Sequence, residues 1–185
     1  IINGLSPSSH PTQVLSDIFT IQEIKKKSIS KLKLCWIGDA NNNMMNSLVE
    51  ACIKFSVYLN IACPKSYQPN KKLISLIKKQ KGKIKIFNKK EIAIKNSDVV
   101  MTDKIISLND KVNKKKKLKS FKNFKVDTKT MNLAKKDAIF LHCLPRGNEV
   151  TEEVFLGKQS KVWQQALNRV YVQKSILLYC FGKLR

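Results

Sequence analysis

Apolar and β-branched residues recur along the chain in short runs, at residues 32–37, 58–63, 83–87, 99–102 and 139–143. Runs of this length, bounded by turn-forming residues, predict buried strands. Between them the spacing becomes helical. Over residues 43–55, Met45, Leu48, Val49 and Cys52 fall on one face, and over 70–81 Leu73, Ile74 and Ile77 do the same. Strands alternating with helices predict a parallel sheet covered on both faces. With right-handed crossovers this is a doubly wound, Rossmann-like α/β fold. Two helices, 13–24 and 167–181, lie outside the alternation. The second carries Val170, Val172, Ile176, Leu177 and Tyr179, more apolar surface than one face needs, as in helices that pack on a neighbouring domain. Residues 110–125 are the most polar and predict a loose connection or a lysine-coated helix.

A chain of 185 residues suffices for one domain with a real core. The sequence opens on Ile1 rather than Met, so we expect it to lie within a longer protein. No apolar run approaches the length that spans a bilayer, and no membrane partner is expected. Five cysteines (Cys35, Cys52, Cys63, Cys143 and Cys180) form no CxxC pair and no zinc spacing. They predict reduced thiols, a cytoplasmic location and no metal site.

The net charge of +23 raises the question of a nucleic-acid partner. Of the 36 basic residues only Arg146, Arg169 and Arg185 are arginine, the side chain that grips phosphates and bases with two parallel bonds. The dense run at 114–117 has no interleaved aromatics on which bases could stack. The lysines therefore read as a solvated surface, and nucleic acid is not an expected partner. A basic binding module is the rival reading, and it predicts binding that weakens steeply with salt.

Ligands of doubly wound sheets bind beyond the carboxyl ends of the strands. After the first strand comes Gly38-Asp39-Ala40-Asn41-Asn42-Asn43, without the GxGxxG of a dinucleotide site. Its three asparagines either cap the next helix or offer amides to a ligand. Asp103, after the fourth strand, either holds an ammonium group or caps a turn. After the fifth, His142, Cys143 and Arg146 gather an imidazole, a thiol and a guanidinium, an uncommon set at a strand end and a candidate site. His10-Pro11-Thr12-Gln13 opens a helix. It is either a capping sequence or a place where an anionic or carbonyl oxygen meets the positive end of the helix dipole.

Taken together and in order, these segments resemble the ornithine carbamoyltransferase family over nearly the whole chain. The resemblance rests on Asn3-Gly4-Leu5, His10-Pro11-Thr12-Gln13 with Asp17, and Trp36-Ile37-Gly38-Asp39-Ala40 with Asn42-Asn43 and Asn46-Ser47. It continues through Thr102-Asp103 with Ser107, Phe140-Leu141-His142-Cys143-Leu144-Pro145-Arg146, Glu149-Val150, Glu153-Val154 and Asn168-Arg169. The family's Ser-Met-Gly loop reads Ser107-Leu108-Asn109 here, and its Glu-Asn-Arg reads Leu167-Asn168-Arg169.

The resemblance implies carbamoyl transfer from carbamoyl phosphate to the δ-amine of L-ornithine, giving L-citrulline and phosphate in arginine biosynthesis, with no cofactor. It assigns carbamoyl phosphate contacts to His10, Pro11, Thr12, Gln13, Cys143, Leu144 and Arg169. Ornithine contacts fall to Asn43, Asp103, Ser107 and Leu108, with Asp103 and Cys143 as the catalytic pair beside the δ-amine. Residues 1–25 become an interdomain helix segment, 26–165 the ornithine-binding α/β domain, and 166–185 a helix returning to a first, carbamoyl phosphate-binding domain. That domain's Ser-Thr-Arg-Thr phosphate loop has no counterpart in this sequence. The 185 residues alone are therefore expected to be inactive, and a homotrimer is expected of the full-length parent. The alternatives are a carbamoyltransferase for another amine, such as putrescine or acetylornithine, and a non-catalytic, decayed paralogue.

Overall fold

The computed structural model describes residues 1–106 and 113–184. Five parallel strands, β1 (Lys33–Ile37), β2 (Tyr58–Ala62), β3 (Ile84–Phe87), β4 (Val99–Thr102) and β5 (Ile139–His142), form one sheet in the order β3-β2-β1-β4-β5. After β3 the chain crosses back over β1, which places the switch point between β1 and β4. The helices are α1 (Pro11–Lys25), α2 (Asn43–Lys54), α3 (Lys71–Lys78), α4 (Lys90–Ala93), α5 (Lys114–Phe121), α6 (Thr128–Met131), α7 (Glu152–Leu156) and α8 (Val162–Cys180).

Strand alternation sends side chains to two cores. Leu34, Trp36, Leu59, Ile61, Val99, Met101, Ile139 and Leu141 meet α1, α2 and α3 on one face. Cys35, Ile37, Val100 and Phe140 meet Ala93, Phe121, Met131, Val154 and Val162 on the other. Asparagine and aspartate start several of the helices. Asn42 accepts from Met45 N (2.8 Å), Asn70 from Leu73 N (2.9 Å) and Asp127 from Thr130 N (2.7 Å). The polar stretch at 110–125 contains the lysine-coated helix α5, whose Lys114, Lys115 and Lys116 are exposed. Lys117 is not part of that solvated coat. It is buried, 2.7 Å from Asp39.

The two flanking helices belong to this fold more fully than the sequence suggests. Val14, Ile18 and Ile21 of α1 enter the first core, and α1 packs along α8. Helix α8 begins at Val162, five residues before the predicted start, and runs unbroken through the boundary drawn at 166. The segment leading into it covers the open edge of β5: Phe140 N donates to Gln159 O (2.8 Å) and Lys161 N to Phe140 O (2.9 Å). An unpaired strand edge is thereby closed. Apolar residues stay exposed on the outer side of both helices, among them Phe19, Trp163, Val170, Tyr171, Leu177 and Tyr179. Among the described residues no helix is long and apolar enough to cross a membrane.

If α1 is part of the core, Ile21→Ala should lower the unfolding free energy of the 185-residue chain by about 3 kcal/mol, as for other buried Ile-to-Ala changes. Leu177→Ala, at a half-exposed position, should stay within about 0.5 kcal/mol. Urea unfolding checks both.

Candidate functional site

The carboxyl ends of β1, β4 and β5 lie side by side, so the residues that follow them share one rim. Gly38 follows β1 at φ +146°, and a Cβ there would stand 3.3 Å from Thr102 Oγ1. That hydroxyl donates to Ile37 O (2.6 Å) and ties the ends of β1 and β4 together. Glycine lets the backbone turn this close to its neighbour.

Two adjoining cavities open on this rim. One, of about 320 Å³, is lined by Leu5, His10, Asn43, Asp103, Cys143 and Arg169, among others. Leu144 and Pro145 also face it. The second, of about 500 Å³, shares Leu5, Asn43, Asp103 and Lys104 with the first and adds Asp39, Asn41, Asn42 and Lys117. The four segments singled out in the sequence therefore converge.

The segment before α1 is strapped onto the start of α2. His10 N donates to Ser47 Oγ (2.8 Å), Asn46 Nδ2 to Ser8 O (2.8 Å), and Asn43 Nδ2 to Ser6 O (2.9 Å). Of the three asparagines, Asn42 is the helix cap, while Asn43 faces both cavities. His10 precedes Pro11 at the helix start, but its ring makes no capping bond, so the capping alternative fails for this side chain. Its Nδ1 is buried with no partner among the described residues. Burial, then the Arg169 charge, hold the imidazole below its usual pKa against the opposing pull of the Gly4 carbonyl, so the ring is neutral at neutral pH.

The sequence grouped His142, Cys143 and Arg146, but the structure separates them. Arg146 stacks on Phe155, its guanidinium carbon 4.9 Å from the ring centre. His142 is buried and faces Glu149, with 2.9 Å between Nε2 and Oε1. Leu144 N donates to His142 Nδ1 (2.9 Å), so the ring proton sits on Nε2 and points at Glu149. Glu149 also accepts from Gly147 N. Burial pushes this carboxyl up, but the bonds from His142 and Gly147 outweigh it and hold it below the usual range. The pair thus shapes the loop after β5 and presents Leu144, at φ +55°, to the cavity.

Cys143 alone of the three faces the cavity. Burial, Asp103 and Asp17 push its thiol well above the usual range, against the pull of Arg169. At neutral pH it is an S–H donor and not a proton acceptor. Asp103 is raised too, by burial first, with Glu149 and Asp39 adding to it and its bond from Lys104 N (2.7 Å) opposing. A carboxylate with a raised pKa is the better proton acceptor of the two.

Other assigned residues face elsewhere. Thr12 Oγ1 donates to Gly4 O (2.9 Å), and Gln13 Nε2 donates to Asp17 Oδ1 (2.8 Å) from a buried position. Neither Thr12, Gln13 nor Pro11 lines the two cavities. Ser107 and Leu108 lie outside the described residues.

Asp17 itself carried no role in the sequence reading. Fully buried, it accepts at Oδ1 from Gln13 and from Gln165 Nε2 (2.7 Å), and Gln165 Oε1 accepts from His142 N (2.9 Å). One turn on, Asn168 Nδ2 donates to Thr20 Oγ1 (3.0 Å) and Glu23 Oε2 (2.8 Å). This polar seam between α1 and α8 sets where Arg169 meets the cavity. Burial raises the Asp17 carboxyl to about 6. Among the described residues no group of three or more His, Cys, Asp or Glu could hold a metal ion.

The family model described as Aspartate/ornithine carbamoyltransferase, Asp/Orn binding domain, matches residues 30–180. The ornithine carbamoyltransferase of Caldicellulosiruptor saccharolyticus is 43% identical over 192 residues, covering 100% of this chain and 61% of its own length. That of Staphylothermus marinus is 41% identical over 183 residues, covering 96% and 58%. The crystal structure of the anabolic ornithine carbamoyltransferase from Campylobacter jejuni superposes with a TM-score of 0.89 at 40% identity, covering 98% of this chain and 62% of that one. The chain thus spans about three-fifths of the length of these relatives.

A buried acid whose folded pKa lies above its unfolded one weakens the fold as pH rises through that interval. Asp17, raised from 3.8 to about 6, should cost the wild type stability between pH 4 and 6, by about 3 kcal/mol at about 1.4 kcal/mol per unit. Asp17→Asn should lack this loss. Urea unfolding of both proteins at pH 4 and pH 7.5 reads it as the change in their difference.

Proposed function

Because the chain belongs to the aspartate/ornithine carbamoyltransferase family, we propose that it carries the ornithine side of carbamoyl transfer. The carbamoyl group passes from carbamoyl phosphate to the δ-amine of L-ornithine, giving L-citrulline and phosphate in cytoplasmic arginine biosynthesis. Residues 26–165 hold the amino acid, 1–25 form the interdomain segment and 166–185 return to a carbamoyl phosphate-binding portion. The 185 residues alone are inactive, and the assembled enzyme is a homotrimer.

One observation carries the reading: His10, Asn43, Asp103, Cys143, Leu144 and Arg169 face one cavity. It contains donors for a carbonyl oxygen beside acceptors for an amine. The neutral δ-amine attacks the carbonyl carbon, the bond to the phosphate oxygen breaks, and phosphate leaves with the electron pair. Negative charge gathers on the carbonyl oxygen as this happens. Fixed donors aimed at such charge are usually the largest contribution to rate, and His10 and Arg169, which line the same cavity, take that role in this reading. An alkylammonium loses its proton near pH 10.4, so a nearby acceptor is needed. Asp103 takes that part, while the Cys143 thiol orients the amine. Direct transfer between positioned substrates needs no covalent intermediate on the protein. Asn43 spends its Nδ2 on Ser6, which leaves its Oδ1 to accept from the α-ammonium group.

The test joins this chain to the two-fifths of a relative's length that it does not cover and measures citrulline formation. L-ornithine should be used with a kcat/KM at least about a hundredfold above putrescine and N-acetylornithine, since a site built to bond a charged group rejects analogues that leave it unpaired. Asp103→Asn should lower kcat/KM by about a hundredfold or more. Absence of citrulline from a folded, joined protein would overturn the assignment, and preference for putrescine would move the substrate.

A further inference from the structure

The buried acid Asp17 is not explained by packing alone. A carboxylate removed from water normally has every lone pair satisfied, yet Asp17 Oδ2 has no hydrogen-bond partner among the described residues. Its Oδ1 is occupied twice, by Gln13 from its own helix and by Gln165 from α8. The Gln165 amide is fixed at its other end by His142 N, at the end of β5. Arg169 follows Gln165 by one helical turn, on the same side of α8, and faces the cavity together with His10 and Cys143. The charged and titratable groups that act on Asp17 through space come from α8 (Arg169), from the loop after β4 (Asp103) and from the end of β5 (Cys143). Of these only Arg169 is a cation.

We propose that Asp17 is a positioning residue of this site: from behind the cavity wall, its carboxylate is the internal counter-charge that holds the Arg169 guanidinium towards the cavity. Two amide donors fix the carboxylate, one of them held at its other end by the terminus of β5, and helix α8 carries Arg169 one turn beyond Gln165. A long arginine side chain otherwise samples many rotamers. A counter-charge at its base restricts them before any substrate arrives, as a pre-organised donor requires. The inference takes its chemical role for Arg169 from the function proposed above, but the electrostatic pairing is readable without turnover.

The Cys143 thiol reports on the pairing, because it feels Asp17 and Arg169 with opposite sign. Alkylation of the 185-residue chain by iodoacetamide at pH 8.5 is followed by peptide mass mapping, which separates Cys143 from the exposed Cys180. Asp17→Asn keeps an acceptor oxygen for Gln13 and Gln165, removes the charge, and puts an amide NH2 in place of the unpartnered Oδ2. It should speed Cys143 alkylation about threefold, since a lost neighbouring anion raises the thiolate fraction. Arg169→Gln should slow it by a similar factor. The double variant should depart from the product of the two single effects, because each group positions the other. A rate unchanged by Asp17→Asn, or single effects that simply multiply, would refute the proposal. Alkylation of the buried Cys35, Cys52 and Cys63 would reveal a variant that had lost its fold.

A second measurement leaves Asp17 intact. The carboxyl carbon of Asp17, titrated by NMR, should move its midpoint upward from about 6 in Arg169→Gln. A midpoint that stays in place overturns the pairing. In the joined enzyme, Asp17→Asn should lower kcat with little change in KM for ornithine. If the cycle succeeds and no citrulline forms, the pairing stands and the carbamoyl-transfer reading fails. If citrulline forms and the cycle fails, the reverse holds.

Discussion

Parallel strands all end on the same side of a sheet, and this geometric constraint underlies the rest of the molecule. With the order β3-β2-β1-β4-β5, the three strands followed by chemically useful residues are neighbours. Asp39, Asp103 and Cys143 therefore meet at one rim although the sequence separates them widely. The switch point between β1 and β4 leaves the space in which the cavities form. The rim is then trimmed by local ties. Thr102 bonds the end of β1, Lys117 neutralises Asp39, and the His142–Glu149 pair folds the loop after β5 back so that Leu144 faces inward.

A second constraint brings the remaining donors. His10 and Arg169 come from helices at opposite ends of the chain, and neither helix lies in the strand–helix alternation. They are joined by amides and acids instead of by a purely apolar seam: Gln13, Asp17, Thr20 and Glu23 on α1, with Gln164, Gln165 and Asn168 on α8. Buried polar networks of this kind specify one relative placement, because any sliding of the helices would leave donors unpaired. The cost is visible at Asp17, whose carboxyl is raised by the burial. Precise placement of Arg169 is what such a cost would maintain.

The sheet was legible in the sequence because short apolar runs between helical spacings have few other solutions. The strand limits fall within about one residue of those predicted. Helix α3 starts one residue late and ends three early, since Asn70 is its cap and the chain turns through positive φ at Lys81 and Gly82. The start of α8 was missed because its buried face there is built from Val162, Gln165 and Asn168, and apolar periodicity does not count amides. Helices α4, α6 and α7 are too short to show a period. Of the site, His10, Asn43, Asp103, Cys143, Leu144 and Arg169 were found through their motifs and their places after strands. The inward turn of Thr12 and Gln13, and the roles of Asp17 and Lys117, were not. The Gln13–Asp17 spacing of four residues hinted at a bond, but the other partner, Gln165, lies 148 residues away. Within a run of four lysines nothing in the sequence marks Lys117 as the buried one.

The proposed carbamoyl transfer makes a single claim: that one cavity receives an amino acid beside a carbonyl donor, with acceptors on the amine side and cationic or neutral donors on the carbonyl side. The most direct measurement is a crystal structure of the joined protein with L-ornithine bound. The account predicts the δ-amine within hydrogen-bond reach of Asp103 and Cys143, and the amino-acid end at Asn43. Ligand density seated away from β1, β4 and β5, or an amine turned from Asp103, would contradict it.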